Sequence, residues 1–226
     1  MYSAFKSKQD AFEIELLKKH LRKDDTVLDI GANIGFYAKT LSEIVGPKGK
    51  IHCFEPDKTN FLHLQNYVNG SNNIVLNNKA VGPKTEILKI YTSRNLNVDH
   101  RTYKPEEYDQ EIEIEAVSVD EYLGNNRKID FIKMDIQGFE MQAVKGMERT
   151  LEENKNIKLI SEFWPYGLSK AGSSVNEYFN FLQEKGFTCY LLEKNSLQKL
   201  TLEKVDSIKD LSEEHYFNIF ACRTNV

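Results

Sequence analysis

With 226 residues, 40% of them apolar and 28% charged, the chain has the length and composition of one large globular core and excludes a disordered or fibrous protein. A formal charge of −4 excludes a chain built around phosphate neutralisation, so no nucleic-acid partner is expected. No stretch approaches the ~20 apolar residues of a membrane span, and the first ten residues lack an apolar signal core, so a cytoplasmic protein without membrane attachment is expected.

Apolar periodicity alternates between helix and strand along the chain. Residues 11–22 carry an amphipathic helix with Phe12, Leu16, Leu17 and Leu21 on one face. A buried-type strand at Thr26–Ile30 ends in Gly31-Ala32-Asn33, and the next helix aligns Ile34, Ala38, Leu41 and Val45 before Gly46-Pro47 stops it. A second strand, Lys50–Phe54, runs into Glu55-Pro56-Asp57, with Asp57 as N-cap of a helix bearing Phe61, Leu64 and Val68. The third strand is Asn73–Leu76. Continuous apolar strands separated by helices describe half of a doubly wound parallel sheet.

The second half resumes with a strand at Ile129–Met134, one helix through Phe139, Ala143, Val144, Met147 and Leu151, the strand Ile157–Phe163 and a helix over 174–185. Strands near 187–193 and 216–222, with only turn-rich chain between them, read as an antiparallel pair at one sheet edge. Between the halves, Glu86–Tyr91 and Glu111–Val117 read as strands, the latter alternating Glu111, Glu113 and Glu115 with Ile112, Ile114 and Ala116. They make residues 85–117 an inserted β-hairpin around a long polar loop, the kind of loop that usually carries function. The expectation is a single domain over 1–226, with the first 24 residues forming an N-terminal helical segment. Cys53, Cys189 and Cys222 lie in apolar runs without C-x-x-C spacing and read as buried free thiols.

The sharpest feature is Val27-Leu28-Asp29-Ile30-Gly31-Ala32-Asn33-Ile34-Gly35, at the turn from first strand to first helix where doubly wound sheets bind ligands. Gly31 permits the tight turn, and Gly35 brings the helix close to the strand. A P-loop needs Gly-Lys-[Ser/Thr], which is absent, and a dinucleotide fingerprint needs G-x-G-x-x-G, whereas this loop is G-x-x-x-G. Asp29 beside the first glycine would repel a pyrophosphate but suits a ligand with an ammonium and a sulfonium, as in S-adenosylmethionine. Glu55, 24 residues past Gly31 at the end of the second strand, is placed to accept both ribose hydroxyls. Asn33 belongs to the same loop, and Asn78 or the backbone of Ala80 falls where an adenine edge would lie.

These pieces in order, with Phe54-Glu55-Pro56, Ser118-Val119-Asp120-Glu121-Tyr122-Leu123, Ile129-Asp130-Phe131-Ile132-Lys133-Met134-Asp135-Ile136-Gln137-Gly138-Phe139-Glu140 and Ala143-Val144-Lys145-Gly146, resemble the FkbM-type methyltransferases over residues 24 to 165. Asn95–Arg101 is similar to the family's His-Arg segment, and Glu162-Phe163-Trp164-Pro165 follows the fifth strand. The resemblance implies a class I methyltransferase fold: a Rossmann-like three-layer sandwich on a mostly parallel seven-stranded sheet with an antiparallel last strand. It also implies O-methylation of acceptors such as sugars and polyketide hydroxyls. The family commonly has Glu where this chain has Gln137, a lost negative charge that disfavours a metal beside Asp135.

Methyl transfer needs an acceptor oxygen aligned with the methyl carbon, and a base can take its proton. Asp135, at the end of the fourth strand across the crevice from Gly31, is the leading active-site carboxylate, facing both cofactor and acceptor. Glu162 ends the neighbouring strand. His100 has the pKa range of a general base, Arg101 can clamp an anionic group, and Tyr103 lies beside them. Trp164 can wall the acceptor pocket, and Tyr37 can pack near the sulfonium or simply fill core. The expected activity is therefore S-adenosylmethionine-dependent methylation of a small or medium-sized acceptor. An NAD-dependent oxidoreductase or a non-catalytic cofactor-binding protein are the competing readings.

Overall fold

The computed structural model describes residues 10–92, 108, 110–125 and 128–223. Its frame is an α/β sandwich around a central, mostly parallel sheet. The chain's first half runs through helix α1 (Ala11–His20), strand β1 (Thr26–Ile30), α2 (Phe36–Val45), β2 (Lys50–Phe54), α3 (Lys58–Tyr67) and β3 (Ile74–Asn77). Asp57 caps α3 as the sequence predicts, its carboxylate accepting the Asn60 N–H at 2.7 Å. Then come β4 (Ala80–Val81), β5 (Glu86–Thr92), β6 (Gln110–Val117) and the short α4 (Val119–Leu123).

The second half supplies β7 (Phe131–Met134), α5 (Glu140–Lys145), α6 (Glu148–Glu153), β8 (Lys158–Phe163), α7 (Pro165–Lys170), α8 (Val175–Glu184), β9 (Thr188–Glu193), β10 (Ser196–Lys199), α9 (Leu202–Ile208) and β11 (Phe217–Cys222). The eight strands of the main sheet lie in the order β10-β9-β11-β8-β7-β1-β2-β3. β1 pairs in parallel with β2 and β7, β2 with β3, and β7 with β8, whereas β11 runs antiparallel to both β8 and β9. The reversed last strand of the expected fold is therefore present, with β10 added as an eighth strand.

Three expectations need correction. The strands near 187–193 and 216–222 do pair antiparallel, but not at the edge: β11 inserts between β8 and β9, and β10 forms the edge. The chain between them holds β10 and α9, elements too short for their periodicity to stand out from turn chemistry. The single helix through 139–151 is instead α5 and α6, because Asp120 caps the second piece from outside. Its carboxylate accepts the Arg149 and Thr150 N–H groups at 2.9 and 2.8 Å, and its own N–H donates to the Gly146 carbonyl at 3.0 Å.

Strands β5 and β6 form the antiparallel pair expected over 85–117, and β4 adds in parallel to β6, giving a second sheet in the order β4-β6-β5. On the main sheet, Leu28, Ile30, Ile132 and Met134 pack with α5, α6 and α8, while Val27, Ile51, Phe131 and Ile160 pack against α1 and α2. Among the polar side chains on that second face are Asp29 on β1 and its register partner Lys133 on β7.

Candidate functional site

Parallel register sets the site. Ile30 is aligned with both Phe54 and Met134, and Met134 with Ser161, so the next residues along each strand (Gly31, Glu55, Asp135 and Glu162) emerge together at the carboxyl edge of β2-β1-β7-β8. Crevices at such edges are where open α/β sheets take ligands.

The loop after β1 is fastened by backbone. The Gly31 and Ala32 N–H groups both donate to the Phe54 carbonyl, at 2.9 and 3.0 Å, and the Asp135 N–H donates to the Ile30 carbonyl at 3.0 Å. Gly31 has φ +83°, and a Cβ there would lie 2.0 Å from the Asp135 carbonyl oxygen. Asn33 is also left-handed, at φ 49°, its side-chain oxygen accepting the Ile34 N–H at 2.7 Å. Gly35 makes its close approach to α3, not to the strand: a Cβ would come within 2.7 Å of Leu64 Cδ1.

Glu55 is buried and clamped. One carboxylate oxygen accepts the Asn33 N–H at 2.8 Å, the other the Asp57 N–H at 2.9 Å. An ionised carboxylate offers about four lone-pair sites, so each oxygen retains acceptor capacity for a hydroxyl. Burial pushes this acid up to about pH 8, opposed by the two N–H donors. Asn78 bonds the Glu55 and Pro56 carbonyls, and Ala80 sits in β4 paired with Ala116.

Asp29 is fully buried, and neither carboxylate oxygen has a hydrogen-bond partner among the described residues. Burial raises its pKa to about 6, with Lys133 pulling it down and Asp135 pushing it up. A buried acceptor left unpaired costs roughly 1–3 kcal/mol, more if charged, so a donor is missing here. An ammonium is the donor that also answers the charge.

Asp135 is partly exposed. Lys133 Nζ stands 3.4 Å from its Oδ2, and Gln137 Nε2 donates to its Oδ1 at 3.2 Å. The same Gln137 amide lies 3.5 Å from both oxygens of Glu162, so it bridges the two acids in the turn after β7. Asp135 does not cap the next helix, whose N-cap is Phe139. Instead Glu140, wholly buried, accepts the Ile136 N–H at 3.0 Å.

Trp164 is 4% exposed, with its indole N–H donating to the Glu213 carbonyl at 3.0 Å. A Cβ on Gly167 would meet its ring at 2.0 Å, and a Cβ on Gly138 would meet the Gly167 backbone at 2.2 Å. The turn after β7 and α7 therefore abut through glycines. Tyr37 is buried core, its ring beneath the Lys133 ammonium. His100, Arg101 and Tyr103 lie outside the described residues. Sequence reading missed Lys133 and Glu13, both buried, although a lysine inside the apolar run Phe131–Met134 is a signal in itself. A groove of about 520 Å³ beyond α2, lined by Ile14, Phe36, Ile44 and Tyr67 among others, contains none of the predicted site residues.

Comparison with known proteins agrees with the fold. The family model described as Methyltransferase FkbM domain matches residues 29–189. A methyltransferase FkbM structure from Methylobacillus flagellatus superposes with a TM-score of 0.55 at 18% identity, covering 89% of this chain and 44% of that one. A SAM-dependent O-methyltransferase from Thermotoga maritima gives 0.54 at 13% identity, covering 97% and 66%. A Streptococcus mutans protein in complex with SAH gives 0.51 at 12%, covering 93% and 94%. At these identities the likeness establishes the fold, and the chain spans less than half of the Methylobacillus protein. No curated protein matches the chain. Among the described residues no helix is long and apolar enough to cross a membrane.

Proposed function

The chain belongs to the FkbM methyltransferase family, and on that premise we propose that it methylates a hydroxyl of a small or medium-sized acceptor, such as a sugar or secondary metabolite, with S-adenosylmethionine as donor. The observation that carries the reading is the buried Asp29 carboxylate, unpartnered among the described residues, two residues before Gly31. It fits the ligand's ammonium, Gly31 lets the loop press onto the Asp135 carbonyl where any side chain would collide, and Glu55 keeps acceptor capacity for the ribose. When bound, S-adenosylmethionine supplies a methyl group made electrophilic by a sulfonium.

The protein's share is to bind, align and accept a proton. Asp29, Gly31, Asn33, Gly35, Glu55 and the β4 backbone at Ala80 form the cofactor side. Asp135 stands between the two sides, and Asp135 or Glu162 takes the acceptor's proton as its oxygen forms the new bond to carbon; His100 is the alternative base. Holding the reactants in line is worth up to about 7–11 kcal/mol, and a base a further 10²–10⁴-fold. Arg101, Tyr103 and Trp164 are assigned to the acceptor, with the 85–117 hairpin bounding it in a single 1–226 domain. The three cysteines are buried free thiols, which suits a cytoplasmic setting. Calorimetry with S-adenosylhomocysteine tests the assignment: micromolar binding is expected, and none at millimolar ligand ends it.

A further inference from the structure

Lys133 is the group the proposed reaction leaves unexplained. Burying an ammonium in a parallel strand costs several kcal/mol unless carboxylates surround it. Its side chain is 5% exposed, 3.4 Å from Asp135 Oδ2, 4.5 Å from the Tyr37 ring centroid and level with Asp29 in the β1–β7 register. The cluster is completed from outside the sheet. α1 contributes Glu13, 6% exposed, whose Oε2 accepts Asn218 Nδ2 at 2.9 Å and whose charge acts on the Lys133 ammonium. Tyr37 joins the layers, its hydroxyl donating to Asp10 Oδ2 at 2.9 Å just before α1.

Glu13, Asp29 and Asp135 are three carboxylates around one ammonium. Among the described residues, the two bare oxygens of Asp29 show where a further donor belongs. Burial disfavours the Lys133 charge, but Asp135, Asp29 and Glu13 outweigh it and hold the ammonium protonated.

We propose that Lys133 and Glu13 are positioning residues for the ammonium end of the cofactor. Lys133 keeps Asp29 ionised and holds Asp135 beside it, and Glu13 secures Lys133 from α1. The N-terminal helix then belongs to the cofactor site, although it precedes the 29–189 stretch that matches the family. This rests on the S-adenosylmethionine reading. Without Lys133, Asp29 beside Asp135 would take up a proton, and a neutral acid has little hold on an ammonium. Glu55, on the far side of β1, would still grip the adenosine.

The test is calorimetry at neutral pH with two probes, S-adenosylhomocysteine and 5′-methylthioadenosine, which keeps the adenosine and thioether but lacks the amino-acid end. Wild type should favour S-adenosylhomocysteine by about tenfold or more, and Lys133→Met should lose about tenfold for it while holding methylthioadenosine within about twofold. Glu13→Gln, which keeps shape and hydrogen bonding, should lose about threefold in the same selective way. Should Lys133→Met fail to fold, Glu13→Gln decides alone. Variants that bind both probes like wild type, or lose both in parallel while melting normally, overturn the proposal, as does a wild type that binds the two equally. A wild type that binds neither overturns the S-adenosylmethionine reading and this inference with it.

Discussion

The two sides of the carboxyl edge are built by different means. On the β1–β2 side nearly every atom is fixed by backbone: two N–H groups on one Phe54 carbonyl, two N–H groups on one Glu55 carboxylate, a glycine pressed on the Asp135 carbonyl. On the β7–β8 side, among the described residues, Asp135, Gln137 and Glu162 meet through side-chain contacts of 3.2 to 3.5 Å. Backbone-fixed geometry holds one ligand shape regardless of side-chain changes nearby, whereas side-chain contacts at the edge of hydrogen-bonding range can be re-aimed. The first side suits an unvarying cofactor and the second an acceptor.

The hardest blow to this contrast should come from Gly31→Ala. A methyl group cannot share space with the Asp135 carbonyl, and φ +83° adds strain, so a loss of about 3 kcal/mol or more in stability is expected, read by urea unfolding. Glu55→Ala should weaken S-adenosylhomocysteine by about 2–3 kcal/mol, roughly 100-fold, and an unchanged affinity in calorimetry would remove Glu55 from the site.

Next comes pH. Glu13, Asp29 and Glu55 are pushed up by burial to about 7, 6 and 8 from ordinary values of 4.5, 3.8 and 4.5. At these acids, and at Glu140, which burial also raises to about 7, the folded state holds more protons than the unfolded one between about pH 4 and 8. His20 and His52, lowered by burial to about 4, oppose this below about pH 6.5, so stability falls with rising pH chiefly above that point. The unliganded protein should melt at least about 5 °C lower at pH 8.5 than at pH 5.5, at roughly 2–4 °C per kcal/mol; a higher melting point at pH 8.5 would contradict it. Affinity for S-adenosylhomocysteine should run the other way, weakening below about pH 6 as Asp29 takes up its proton. The smallest effect belongs to the acceptor side. Gln137→Ala should change stability by less than about 1 kcal/mol and cofactor affinity by less than twofold, since its bonds are long. A tenfold loss would merge the two sides.

Much of the backbone-built side could be read from sequence, because its chemistry is local. A glycine directly after an apolar strand, an acid ending the next strand and an Asp before a helix each point to one conformation. Asn33 could be seen as a loop residue, but the bond from its N–H to Glu55 depends on two strands lying side by side. Lys133 stands out as a lysine in an apolar strand, but its partners do not, and Glu13 is an ordinary charged residue in its own helix. Their meeting follows from α1 folding over the sheet face that carries Asp29. The broken helix at 146 likewise depends on Asp120, a residue 26 positions earlier in the chain. Local signals were legible; those that need a distant partner were not.

The stacked contact of Gly138 on Gly167 and Gly167 on Trp164 has a consequence for how such a wall can change over time. Each position leaves no volume for the next, so a side chain gained at 138 or 167 forces the ring at 164 or the turn after β7 to be rebuilt. Among relatives these three positions should drift as a set, and a library that varies them singly should return mostly unfolded clones while paired changes survive.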